Sequence, residues 1–254
     1  MSEPELTRYE DRGGAAWITL NRPDERNALN DALLVSLRGH LMEALADPDV
    51  RCVVLTGAGR AFCAGADLKG ERRSVDAGPS PYVEILRAIW NSPKPVIAAV
   101  NGAAFAGGLG LVGASDIVIA ANSATFSFSE VRIGVIPAVI SVVCVPKLGP
   151  GQAMRLFLSG ERFDAAQARA FGLVHHTVAD SEFQVRVETE IAAVLKGGPN
   201  ALAESKLLVR RIAPFDIDAQ FEWAEKKSKE LFSSGEGQEG MAAFREKRPP
   251  RWTA

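Results

Sequence analysis

The sequence predicts an α/β fold, and three features carry that expectation. Residues 15–20 (AAWITL) and 51–56 (RCVVLT) are apolar runs of strand length, and Leu33, Leu34, Leu37, Leu41 and Leu45 recur between them at helical spacing. Residues 96–137 then run strand, glycine-rich turn, short helix, strand and a second strand ending in a carboxylate. From residue 181 the pattern is mostly helical, which adds a helical region to the α/β core.

The first strand stops at Asn21-Arg22-Pro23, where proline removes a ladder donor. Asn30 is placed to cap the following helix, and Asp47-Pro48 ends it. Val53, Val54 and Leu55 give the next strand the character of one buried on both faces. The segment 57–69 (GAGRAFCAGADLK) reads as a loop of small residues whose amides can face a ligand, and residues 70–81 read as a charged loop over the same site. A helix over 81–90 leads to the apolar strand 96–100.

Asn101-Gly102 breaks that strand, Ala106-Gly107-Gly108 permits close approach of a ligand to the backbone, and a buried helix is expected over 108–115. Further on come an apolar helix over 138–148, a break at Gly149-Pro150-Gly151 and a helix over 152–159. A helix over 163–171, a cap at Gly172 and a strand over 173–178 complete the core. The composition changes near Lys196, dividing the chain into a core of residues 1–195 and a helical region of 196–254. In that region a helix over 217–232 carries Phe221, Trp223, Ala224, Leu231 and Phe232, an apolar side to be buried on the chain's own core or at a subunit interface.

With 254 residues, 47% of them hydrophobic, and a net charge of −2, the chain has material for a large core and lacks the basic footprint of nucleic-acid binding. Arg72-Arg73 and Arg210-Arg211 read as solvated faces. Three spaced cysteines, Cys52, Cys63 and Cys144, fit neither a disulfide framework nor a zinc motif, which implies a reducing compartment. The polar opening MSEPELTRYE and the lack of a long apolar run lead us to expect a cytoplasmic protein without membrane association.

The helix starting near Gly108 presents free amides and a positive dipole end beside Gly107, a place for developing negative charge such as that of a thioester enolate. Glu130, after the alternating run Phe126-Ser127-Phe128-Ser129, is expected near the end of a half-buried strand among Val131, Ile133, Val135 and Ile136. Burial would raise its pKa and suit it to proton transfer at carbon, although pairing with Arg132 or Arg155 would make it a structural acid.

Gly108, Gly110 and Gly113 spell a dinucleotide fingerprint, but Asp116 follows too soon to be its acid. Cys63 reads as a small core filler, His40, His175 and His176 lack metal-ligand spacing, and Asp67 and Asp116 read as structural acids at turns. No G-x-S-x-G elbow occurs.

Seven segments in order resemble the enoyl-CoA hydratase/isomerase (crotonase) superfamily. They are ITLNRPDERNALN (18–30), VVLTGAGRAFCAGADLK (53–69), PVIAAVNGAAFAGGLGL (95–111), SDIVIA (115–120), FSFSEVRIGVIP (126–137), LSGERFDAAQARAFGLV (158–174) and GMAAFREKRPP (240–250). The resemblance implies a spiral core of ββα units, a C-terminal helical region that builds trimers or hexamers, and a coenzyme A thioester as substrate, with no tightly bound cofactor and no metal. It implies an oxyanion hole from the Ala66 and Gly107 N–H groups, an adenine site on Ala64, Gly65, Ala66, Asp67 and Leu68, and Arg26 and Lys69 near the CoA phosphates. Phe244 and Lys247 would reach the CoA of a neighbouring subunit.

The sequence departs from two-glutamate hydratases at Gly110, where their first catalytic glutamate stands, and keeps the second as Glu130. It most resembles a bacterial subgroup acting on branched or carboxylated, methylglutaconyl-like enoyl-CoA, which implies hydration. A Δ3,Δ2-enoyl-CoA isomerase working with one acid and a non-catalytic acyl-CoA-binding protein are the alternatives. A dehalogenase-like reading lacks its aspartate, because residues 138–141 read AVIS.

Overall fold

The computed structural model describes residues 5–69, 80–212 and 217–249. The chain begins with β1 (Thr7–Asp11), β2 (Ala15–Leu20), α1 (Asp31–Ala46), β3 (Cys52–Gly57), β4 (Ala61–Cys63) and α2 (Pro81–Asn91). It continues through β5 (Val96–Val100), β6 (Ala103–Phe105), α3 (Gly107–Ala114), β7 (Ile117–Ala121), β8 (Thr125–Ser127) and a 3-10 turn, Ser129–Ile133. Then follow α4 (Ala138–Ser159), β9 (Arg162–Asp164), α5 (Ala165–Ala170), β10 (His176–Val178), α6 (Phe183–Leu195), α7 (Pro199–Ile212), α8 (Ile217–Ser233) and α9 (Gly235–Glu246).

A six-stranded sheet has the order β1-β2-β3-β5-β7-β10, parallel except for the β1–β2 pair. A smaller sheet has the order β4-β6-β8-β9, antiparallel only at β8–β9. Successive turns of chain therefore place one strand in the large sheet, the next in the small sheet, and a helix after it: β3-β4-α2, β5-β6-α3 and β7-β8-α4. This is the ββα spiral that the resemblance implied. The central parallel strands β3 and β5 are buried on both faces, which explains why they read as continuous apolar runs rather than alternating ones.

Asn30 caps α1, its Oδ1 accepting from Leu33 N–H at 2.9 Å, and Leu33, Leu37 and Leu41 are fully buried. The break at Gly149 appears as a non-helical φ of 73° inside α4. Other expectations need correction. Residues 163–171 are strand β9 followed by the short α5, started by a capping box between Asp164 and Gln167. The last strand begins at His176 rather than at 173. Residues 61–63 of the expected loop form β4, and Glu130 sits on the 3-10 turn after β8, not on a strand. The charged loop at 70–81 lies outside the described residues as far as 79, and with it Arg72-Arg73.

The C-terminal helices do not stand apart from the core. Phe221 and Ala224 of α8 are fully buried in the same cluster as Leu109, Val143 and Phe128. Trp223 and Phe244 are exposed. Arg210 is no solvated residue: its guanidinium lies 3.7 Å over the Trp90 ring and donates to Asp116 Oδ1 at 2.7 Å. No helix of the described residues is long and apolar enough to cross a membrane.

Candidate active site

The two small-residue segments meet. Gly65, at φ 91°, approaches the second segment so closely that a Cβ there would lie 2.9 Å from Ala106 Cβ and 3.3 Å from Gly107 N. Leu29 N–H donates to Gly65 O at 2.8 Å and Asp67 N–H to Leu29 O at 2.9 Å, holding Ala66 between two anchored neighbours. Asp67 completes the anchor with a 3.1 Å salt bridge to Arg22, both side chains nearly buried. Asn27, fully buried and at φ 57°, bonds Ala58 O and Ala61 O, so the segment 22–29 is fastened to the start of β4.

On the other side Ala106 has φ 46° and ψ −116°, a conformation unusual for a residue with a side chain, immediately before the first residue of α3. Gly107 thereby opens the helix with its N–H ahead of any intrahelical acceptor. At the opposite end of α3, the buried Lys147 ammonium donates to Ser115 O at 2.6 Å and Val112 O at 3.3 Å. The Lys147 cation is favoured by the negative end of the α3 dipole, whose positive end lies at Gly107. Burial pushes the Lys147 pKa down to about 8, against the opposing pull of Asp116.

Ala66, Gly107 and Glu130 line one cavity of about 990 Å³. Pro137, Val139 and Ile140 supply apolar wall, and Arg26, Ala64, Asp67, Leu68, Lys69 and Phe244 also border it. Gly65 lies behind its neighbours, and Lys247 is not on the wall: it closes α9 at φ 54°, while the adjacent Arg248 borders the cavity and pairs with Glu239 and Glu246.

Glu130 Oε2 is fully buried without a hydrogen-bond partner among the described residues. Neither predicted structural partner takes it: Arg132 donates to Gly160 O at 2.9 Å and Arg155 pairs with Glu161. Burial raises its pKa to about 7, with a backbone hydrogen bond pulling the other way. Such a carboxyl can exist in either protonation state near neutral pH, which is the property needed to take a proton and return it.

At Gly110 a side chain has no room. A Cβ there would overlap the Tyr82 hydroxyl and lie 2.7 Å from Ile140 Cγ2. Tyr82 reaches this position from α2, and its hydroxyl donates to Gly107 O at 2.5 Å. Sequence reading missed it, since one tyrosine in an amphipathic helix looks like core.

Cys63 and Cys144 are buried, and burial raises the Cys63 pKa to about 12, in keeping with a filler role. Asp67 accepts from Lys69 N–H and Asp116 from Val96 N–H, the turn functions expected of both. The described residues hold no cluster suited to a metal ion.

Comparison with known proteins decides the family. The family model for enoyl-CoA hydratase/isomerase matches residues 10–254. The chain belongs to the enoyl-CoA hydratase/isomerase family. A crystal structure of an enoyl-CoA hydratase from Mycobacterium avium is 39% identical, with a TM-score of 0.83 over 97% of this chain and 98% of that one. The carnitinyl-CoA hydratase of the same organism is 37% identical, with a TM-score of 0.86 over 98% of both chains. The 1,2-epoxyphenylacetyl-CoA isomerase of Escherichia coli K12 is 35% identical over 94% of this chain and 95% of its own. Acyl-CoA thioesters are the substrates of this family, and hydratases and isomerases both occur among the relatives.

Proposed function

We propose that this chain adds water to the double bond of a 2-enoyl-CoA thioester, using one glutamate. The observation that carries the reading is the buried Glu130 carboxyl, with Oε2 unpartnered among the described residues, on the same cavity as Ala66 and Gly107. In this reading the two N–H groups bind the thioester oxygen. Glu130, as carboxylate, takes a proton from water while the water oxygen bonds to C3 and the π electrons move to the thioester oxygen as an enolate. The resulting carboxylic acid returns the proton to C2. Each oxyanion donor contributes about 2.7–4 kcal/mol to such a transition state.

Arg26 and Lys69, at the cavity edge, are assigned to the CoA phosphates, and residues 64–68 to the adenine. The acyl chain is assigned to the branched or carboxylated, methylglutaconyl-like class. We assign a homotrimer or a hexamer built from two trimers, supported by the exposed Leu207, Leu208, Val209 and Trp223 on α7 and α8.

One observation favours a Δ3,Δ2-enoyl-CoA isomerase as the second reading. Asp67 lines the cavity but is held by Arg22 and the Lys69 N–H, whereas Glu130 is buried there with Oε2 unpartnered among the described residues. Moving one proton between carbons needs no second acid. Crotonyl-CoA, 3-methylglutaconyl-CoA and 3-hexenoyl-CoA, followed by mass spectrometry with wild type and Glu130→Gln, separate the readings. Gain of one water that depends on Glu130 supports hydration. Conversion of 3-hexenoyl-CoA to its 2-isomer without hydration supports the isomerase, and binding without turnover supports neither.

A further inference from the structure

Tyr82 lies on the cavity wall that also carries Glu130. Its hydroxyl fills the volume into which any side chain at position 110 would grow. The single proton of that hydroxyl is committed to Gly107 O at 2.5 Å. A tyrosine hydroxyl that donates its proton keeps acceptor capacity, so what it can offer the cavity is a lone pair. Glu130 and Tyr82 line the same cavity, together with Gly107 and Ile140.

Adding water across a double bond makes two demands on the attacking molecule. One of its protons must leave to a base, and the other must be held so that the oxygen lone pair points at C3. Glu130 can meet the first demand. We propose that Tyr82 meets the second: its hydroxyl oxygen accepts a hydrogen bond from the water that Glu130 deprotonates, and so stands in for a carboxylate that Gly110 cannot carry. This assignment rests on the hydratase reading above.

Tyr82 is suited to holding and not to deprotonating. Burial, with the neighbouring Cys63, Cys144 and Glu130 adding to it, keeps its pKa well above the usual tyrosine range. It remains neutral throughout the working range of pH. The water oxygen forms the new bond to C3, one water proton passes through Glu130 to C2, and the other stays on the product hydroxyl; Tyr82 gains and loses nothing.

The test compares wild type, Tyr82→Phe, Tyr82→Ala and Tyr82→Ala/Gly110→Glu on crotonyl-CoA and 3-methylglutaconyl-CoA. Tyr82→Phe is expected to lower kcat for hydration about tenfold with KM little changed, the effect of one lost hydrogen bond made in the transition state. Tyr82→Ala is expected to be slower still. Adding Gly110→Glu, which puts a carboxylate into the vacated volume, is expected to restore part of the rate. A purely structural tyrosine would not be replaced by an acid from another helix. Tyr82→Phe hydrating at the wild-type rate, or a double variant no faster than Tyr82→Ala, overturns the assignment. Wild type that hydrates neither substrate overturns the hydratase reading itself, and the role of Tyr82 falls with it.

Discussion

Gly240 on α9 packs against Ile133 so closely that a Cβ at 240 would overlap the Ile133 carbonyl, oxygen and carbon alike. Ile133 ends the 3-10 turn that carries Glu130, so the C-terminal helix sets the position of the acid through a backbone contact. Gly134 closes the turn at φ 73°, and Arg132 and Ser127 both donate to Gly160 O, tying its other side to the end of α4.

Gly240→Ala therefore displaces the turn. A backbone atom cannot move aside as a flexible side chain can, and overpacking of this kind costs about 1–3 kcal/mol. The variant is expected to unfold at lower denaturant concentration and to lose kcat more than it raises KM. Gly151→Ala, at a glycine with open space around it, is expected to leave the Glu130-dependent step unchanged.

The buried carboxyl of Glu130 makes stability depend on pH. Its folded pKa, about 7, lies above the ordinary 4.5, so the folded chain keeps the proton that the unfolded chain gives up between these values. Its contribution to stability is complete below 4.5 and is lost as pH rises through 7. The loss is on the order of 3 kcal/mol. Glu130→Gln, neutral at every pH, is expected to melt at higher temperature than wild type near pH 8 and to lose that advantage near pH 4.5. Parallel melting curves across this range would contradict the burial argument.

Asp116 is the hub of a second buried network. It pairs with Lys206 and Arg210, each at 2.7 Å, and accepts from Val96 N–H at 2.8 Å. Asp116→Ala leaves two largely buried cations without their counter-ion and is expected to cost about 3–5 kcal/mol. Adding Lys206→Met should return part of it, because the cation that lost its partner is removed as well. Urea unfolding of the single and double variants gives the comparison.

The central strands of the large sheet were legible because burial on both faces writes an apolar run into the sequence, as in VVL at 53–55 and VIAAV at 96–100. The small-sheet strands β4, β6 and β9 were not, since three residues are too few for a pattern. Phe163 and Asp164 of β9 were absorbed into the expected helix over 163–171 because Asp164 caps a genuine one immediately afterwards. Edge strand β1 was hidden by its polar, exposed residues.

At the site, the glycines announced a close approach and Glu130 stood out as an acid in apolar company. Tyr82 gave no sequence signal, because its meaning lies in a contact with Gly110, 28 positions away on another helix. Arg210 misled for a similar reason: a pair of arginines looks solvated until Trp90 and Asp116 are seen beside it.

The most direct test of the account is the pH dependence of kcat/KM for hydration, which reports ionisation of the free enzyme. Glu130 must be a carboxylate to take the proton of water, so the rate is expected to rise with pH through a single ionisation near 7 and to be abolished in Glu130→Gln. A rise centred at the ordinary carboxylate value near 4.5, or a Glu130→Gln enzyme that still hydrates at the wild-type rate, would contradict it.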